Sequence, residues 1–113
     1  MFYIVTKYLF PKSYRGFALF PFVFIKYKSD KKNPVFINHE KIHLRQQLEL
    51  LILPFLIWYV IEFVFRLIQY KNWDLGYRNI SFEREAYQNE KKLDYLEKRA
   101  NFEFINYIKI VIK

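Results

Sequence analysis

Asn38-His39-Glu40-Lys41-Ile42-His43-Leu44-Arg45-Gln46 is the stretch on which the reading of this chain turns. Both histidines of the chain fall in it, as H-E-x-x-H. On a helix, side chains four apart share a face, with Cβ atoms about 5–6 Å apart. Two imidazoles so placed can converge on one zinc ion at about 2.0–2.1 Å. Glu40 lies about 100° around the helix from His39 and reads as a general base that takes the proton of a zinc-bound water. Two histidines scattered at random stand four apart, with Glu after the first, in about 0.1% of arrangements, so the match outranks most short motifs. The plainer alternative is a solvated pair of polar residues on a basic helix.

A catalytic zinc takes three protein ligands and leaves one position for water. The chain has no third His and no Cys, so the remaining ligand must be Asp or Glu. The extended form H-E-x-x-H-x-x-G-x-x-H is excluded, because Gln46 stands at the Gly and Glu49 at the last His. Glu49 follows His39 on the same helix, about 15 Å along the axis, which is too far to share an ion. Glu62 sits in an apolar segment, where pairing with Arg66 at i, i+4 is the simpler reading. Glu83 and Glu85 open a later helix and lie on opposite sides of its apolar stripe. Periodicity leaves both in play, and either also suits a first turn as a complement to the helix dipole.

Outward from the motif, residues 1–10 are apolar, aromatic and β-branched, and fit a short strand or a helix. Residues 11–16 break that run. Phe17 to Tyr27 is rich in strand formers, and Pro21 within it demotes the segment to an edge strand or two short strands. Asn38 is the expected N-cap of a helix over about 39–53. A second, apolar helix follows to about Tyr70, bent or broken at Pro54. Lys71–Ile80 reads as a loop. Ser81–Ala100 fits a third helix, with Phe82, Ala86, Leu93, Leu96 and Ala100 on one stripe. The period of 101–113 is ambiguous. The fold class that follows is α+β in a single domain over 1–113. A small antiparallel sheet from residues 1–37 packs on the H-E-x-x-H helix, an apolar backing helix and a third helix that brings a carboxylate.

Composition narrows the classes further. Hydrophobic residues make up 53% of the 113 and charged residues 27%, a balance that excludes disorder. The absence of cysteine excludes disulfide scaffolds, Cys-ligated zinc fingers and thiol nucleophiles. An aromatic share of 22% demands either a dense core or a surface that meets lipid or a partner. The net charge of +8 favours contact with something acidic, such as a phospholipid surface. Nucleic acid is not the expected partner, since the basic residues are dispersed and no binding motif occurs. Leu50–Phe65 carries Glu62 as its one charge and reaches about 24 Å as a helix, short of the roughly 30 Å hydrocarbon core. The stretch 50–68 therefore reads as a core helix or as a membrane-associated one. The first positive charge, Lys7, comes after the apolar residues, and no small-residue cleavage site follows. No signal peptide is read, and the expected location is cytoplasmic or inner-membrane-associated.

His39 to Gln46 (HEKIHLRQ), followed about forty residues later by Glu83-Arg84-Glu85-Ala86, resembles the gluzincin metallopeptidases. The likeness is greatest to their smallest members, the minigluzincins, and extends to the membrane-bound CAAX-type and heat-shock-type proteases. Those families carry H-E-x-x-H and then E-x-x-A-D on a later helix. With Ala86 as the Ala, the resemblance implies Glu83 rather than Glu85 as the third ligand, beside His39 and His43 on Zn²⁺. It implies Glu40 as the catalytic base in hydrolysis of a peptide or protein substrate by zinc-bound water. Tyr87 stands where the family has an Asp that orients a ligand histidine. A Tyr, His or Arg that stabilises the oxyanion is also implied, with Tyr77 and Arg78 as candidates by position. An edge strand within Phe17–Ile25 would pair with an extended substrate. The alternative from another class is a non-catalytic, membrane-associated structural or assembly subunit that retains the zinc-site helix.

Overall fold

A computed structural model describes residues 2–6, 8 and 14–108. Phe20-Pro21, a cis pair, is the whole link between strands β2 (Gly16–Leu19) and β3 (Phe22–Ile25). So short a link forces the two strands antiparallel, with Gly16 opposite Ile25 and Leu19 opposite Phe22. Pro21 thus sits in the turn, and of the two readings of this segment the pair of short strands is the one formed. Strand β1 (Phe2–Val5) lies on the other side of β3 and parallel to it, Phe2 opposite Phe22. The sheet is therefore mixed, in the order β1-β3-β2, where an antiparallel one was expected. Strand β1 is not a hairpin partner: the connection over residues 6–15 separates it from β2, so no tight turn dictates its direction.

Val23 and Ile25 alternate inward and pack with Leu44 against Phe36 and Ile37. Gly16 lets the sheet approach the first helix closely. A Cβ there would stand 2.5 Å from Phe36 Cζ and 2.8 Å from the Phe24 carbonyl oxygen.

Helix α1 (Pro34–Leu50) starts five residues before the expected point. Asn33, not Asn38, is its N-cap, accepting from the Val35 and Phe36 amides, and Pro34 fits the first turn, where an N–H has no helical partner. Asn38 lies inside the helix and is buried. The chain breaks at Leu51 (φ 63°), three residues ahead of Pro54, and helix α2 runs Ile52–Tyr70. Pro54 falls in the first turn of α2, which a proline tolerates, so it bends nothing. Among the described residues α2 is the one helix long and apolar enough to cross a membrane, by length and composition alone. Most of it is exposed.

The expected loop 71–80 contains a short helix, α3 (Trp73–Arg78), capped by Asn72. Gly76 lets α3 cross α2 at close range, since a Cβ there would be 3.1 Å from the Leu67 backbone. Helix α4 (Ser81–Asn89) ends eleven residues short of the expected Ala100. Its end is held by Asn38, whose side-chain amide donates to the carbonyls of Asn89, Glu90 and Lys92. Phe82 and Ala86 of the expected stripe are buried, while Leu93 and Ala100 are exposed. A one-turn helix, α5 (Tyr95–Lys98), and a 3₁₀ turn (Glu103–Tyr107) follow. Phe104 from that turn closes a second core with Phe55, Ile80 and Phe82. Full burial of each such side chain contributes about 1.5–3 kcal/mol. Residues 109–113 of the ambiguous tail lie outside the described residues.

Candidate metal centre

Helix α1 presents His39, His43 and Gln46 along one face, and α4 lies across that face. The crossing brings Glu83 from the first turn of α4 onto both imidazoles. Glu83 Oε1 stands 3.1 Å from His39 Nε2 and 3.0 Å from His43 Nε2, and the two nitrogens are 3.2 Å apart. All three residues are buried, and together they can hold a metal ion.

The partners on the far side of each group show which atoms face the centre. His39 Nδ1 donates to Glu90 Oε1 at 2.9 Å, which leaves Nε2 as the inward nitrogen. Gln46 spends its amide N–H groups on the Phe82 carbonyl and on Glu85 Oε1. Its Oε1 therefore accepts from His43 Nδ1, at 2.9 Å, and His43 Nε2 also faces inward. Tyr59 donates to Glu83 Oε2 at 2.7 Å, leaving Oε1 for the centre. Three lone pairs thus point at one another across 3.0–3.2 Å. An ideal tetrahedral site with bonds of about 2.0–2.1 Å has ligand atoms about 3.3–3.4 Å apart, so the donor set fits such an ion with little adjustment.

The electrostatics agree. Burial opposes charge on His39, but Glu83 and Glu90 at its two nitrogens carry its pKa up to about 10. Burial likewise opposes charge on His43, and the Glu83 carboxylate more than offsets it. Glu83 itself, despite the burial that favours its neutral form, is held far below the usual carboxylate range by the two imidazoles. Protons and a metal ion therefore compete for the same lone pairs. Glu40 is pushed upward by burial, which the nearby histidines only partly oppose. Its Oε2 is one of two buried side-chain polar atoms without a hydrogen-bond partner among the described residues.

Two cavities meet at this place and share Tyr14, Gly16, Glu40 and Tyr77. One, of about 360 Å³, reaches His39 and is lined by charged groups that include Arg15, Asp74 and Arg78. The other, of about 260 Å³, reaches His43 and Glu83 and is walled by Phe17, Phe55 and Leu56. Of the two residues singled out by position, Tyr77 lines both cavities, whereas Arg78 lines the first and lies 4.8 Å over the Tyr87 ring. Burial and the charge of Glu83 keep Tyr77 a neutral phenol, able to donate. Strand β2, an outer strand of the sheet, borders both cavities through Gly16.

The rival carboxylates are accounted for elsewhere. Glu85 is buried with Arg99, an ion pair completed by Glu49, whose oxygens lie 2.6 and 2.9 Å from the guanidinium. Glu62 accepts from the Ser81 amide and hydroxyl, both at 2.6 Å, and pairs with Arg66 at 3.4 Å. Tyr87 packs edge-on to the His39 ring with centroids 4.5 Å apart.

Sequence reading missed Glu90, Gln46 and Tyr59 as supports of the three central groups. Glu90 had a signal: it lies seven residues after Glu83, two turns on, and so on the same face. Tyr59 had none, because its place depends on how α2 packs. Outer partners of this kind fix the tautomer and orientation of an imidazole. Glu90→Ala is therefore expected to weaken metal affinity about 10–100-fold, as measured by competition with a chelator. An unchanged affinity would show that Glu90 does not orient His39. Comparison of the chain with protein-family models, curated proteins and solved structures found no match.

Proposed function

We propose that this protein is a zinc-dependent metallopeptidase. The observation that carries the reading is one convergence: His39, His43 and Glu83 offer three lone pairs to a common point, with Glu40 buried beside them and its Oε2 without a hydrogen-bond partner. These three residues would hold the ion, and two imidazoles with one carboxylate are a set that suits zinc. When bound, zinc acts as a Lewis acid that lowers the pKa of a water toward about 7 and polarises a carbonyl.

The chain's own residues supply the rest. Glu40 accepts the proton of the attacking water and returns it to the leaving amine. Tyr77 donates its phenol proton as a hydrogen bond to the developing oxyanion. An extended peptide would lie along the outer edge of β2. Gln47 donates to the Ala18 carbonyl at 2.7 Å and accepts from the Phe20 amide, which closes the far end of that edge. Gly16, next to the metal site, is left for pairing. The alternative of a non-catalytic, membrane-associated subunit draws on the aromatic excess, the Leu50–Ile68 stretch and Tyr87; Glu90 on His39 Nδ1 supports the peptidase reading against the last of these alone.

Glu40→Gln is expected to keep a full complement of zinc and to lose turnover by about 10²–10⁴-fold on a peptide pool analysed by mass spectrometry. Cleavage at the parental rate by this variant would remove Glu40 as the base. Stoichiometric zinc in a parent protein that cleaves nothing would remove the peptidase reading itself.

A further inference from the structure

The least expected feature of the surface is the outer side of α2. Leu53, Ile57, Val60, Ile61, Val64 and Ile68 are each between 49% and 70% exposed. Every exposed residue of α2 from Leu53 to Ile68 is apolar. The helix does carry two charges in this span, Glu62 and Arg66, and both are turned inward. At about 100° per residue, the exposed apolar sector covers roughly 200° of the circumference.

That width bears on what covers it. A helix that packs against one other element needs a stripe about 100° wide. An uncharged arc of twice that width exceeds what a second copy of the helix would seat, and matches immersion in a fluid apolar medium. The chain's net charge of +8 adds attraction to an anionic surface, and Lys71 stands at the C-terminal end of α2. We infer that the outer face of α2 seats in one leaflet of an anionic lipid bilayer, with the helix axis in the membrane plane.

A spanning orientation is excluded by what packs on the inner side. Helix α3 lies along α2 and carries exposed Asp74 and Arg78, both on the wall of the charged cavity. If α2 stood across the bilayer, those charges would be drawn to hydrocarbon depth, at several kcal/mol each. In the plane, the same groups face water. Leu56 belongs both to the exposed sector and to the wall of the apolar cavity, so the seated face borders the metal site.

The test uses the full chain, diluted from mild detergent into vesicles of phosphatidylcholine with phosphatidylglycerol. Trp73→Phe leaves Trp58, which is on α2, as the sole tryptophan reporter. Co-flotation is expected, with Trp58 fluorescence quenched more by lipids brominated near the headgroup than by lipids brominated near the chain end. Ile57→Lys with Ile61→Lys is expected to lower the bound fraction at least about tenfold, leaving far-ultraviolet dichroism and metal content unchanged. Stronger quenching by the deep bromines overturns the in-plane orientation. Flotation with Trp58 unquenched overturns the role of α2. A protein that stays in the aqueous fraction overturns the proposal, whether as a monomer or as a dimer that Ile61→Lys dissociates; the dimer would make the face a contact between copies.

Discussion

Glu83→Ala protein is expected to emerge from purification without zinc, and the parent with one ion per chain. The carboxylate is the single negative charge placed between the two inward nitrogens, at 3.0 and 3.1 Å. Removing it leaves two imidazoles without their shared carboxylate and a Tyr59 hydroxyl that has lost its acceptor. Two nitrogens alone do not complete the three-ligand set, so affinity should fall by more than the roughly 10–100-fold associated with an outer partner. Elemental analysis after dialysis against micromolar zinc gives the readout, and His43→Ala should behave alike. The orphaned hydroxyl costs about 1–3 kcal/mol of stability, which leaves the variant folded enough to assay. Glu97→Ala is the matched control, since Glu97 is exposed on α5. Retention of a full ion by both Glu83→Ala and His43→Ala would end the metal-site reading.

Glu85→Ala has a different and equally large consequence. From spacing it reads as a rival ligand or as a first-turn complement to the helix dipole, and in the structure it is the buried partner of Arg99. Its side chain and that of Arg99 are both wholly buried, and the pair draws in Glu49 and the Tyr95 hydroxyl. Loss of the Glu85 carboxylate leaves Arg99 with Glu49 alone and takes a buried acceptor from Arg99, the Tyr95 hydroxyl and Gln46, at about 1–3 kcal/mol for each donor left unsatisfied. Against a typical total of about 5–15 kcal/mol, that is a major fraction of the stability. Urea denaturation should show a midpoint shifted strongly downward. Glu85→Gln, which keeps the shape and one acceptor, should lose less. A midpoint within error of the parent's for Glu85→Ala would mean that Glu49 alone satisfies Arg99. The same substitution also removes an acceptor of Gln46, so any zinc lost with it traces to His43 and not to a missing ligand.

The two experiments separate residues that periodicity alone could not. Glu83 and Glu85 lie on the same turn of α4, and a helix two residues apart points them about 160° from each other. One therefore meets α1 at His39 and His43, and the other meets Arg99 and Glu49. Nothing in the local sequence states which of the two reaches the imidazoles.

What the sequence determined by itself follows from short-range geometry. H-E-x-x-H put two imidazoles on one face because the helical repeat guarantees it, and elimination of other donors required a carboxylate. Pro21 ended a strand, and the apolar run past Leu51 became a helix, because local sterics and hydrophobic pattern act within a few residues. The tertiary structure decided the rest. Asn38 reads as a cap but became a clamp on α4, and α4 stopped at Asn89 because that clamp and the buried Arg99 take the chain elsewhere. Pro54 reads as a break, yet the chain turned at Leu51, since a proline is tolerated in a first turn. Which carboxylate reaches the imidazoles, that Glu90 and not residue 87 orients His39, and that a nearly all-apolar helix keeps half its circumference uncovered are outcomes of packing between segments forty or more residues apart. Such contacts depend on how helices cross, and a crossing angle is not encoded in the periodicity of either helix alone.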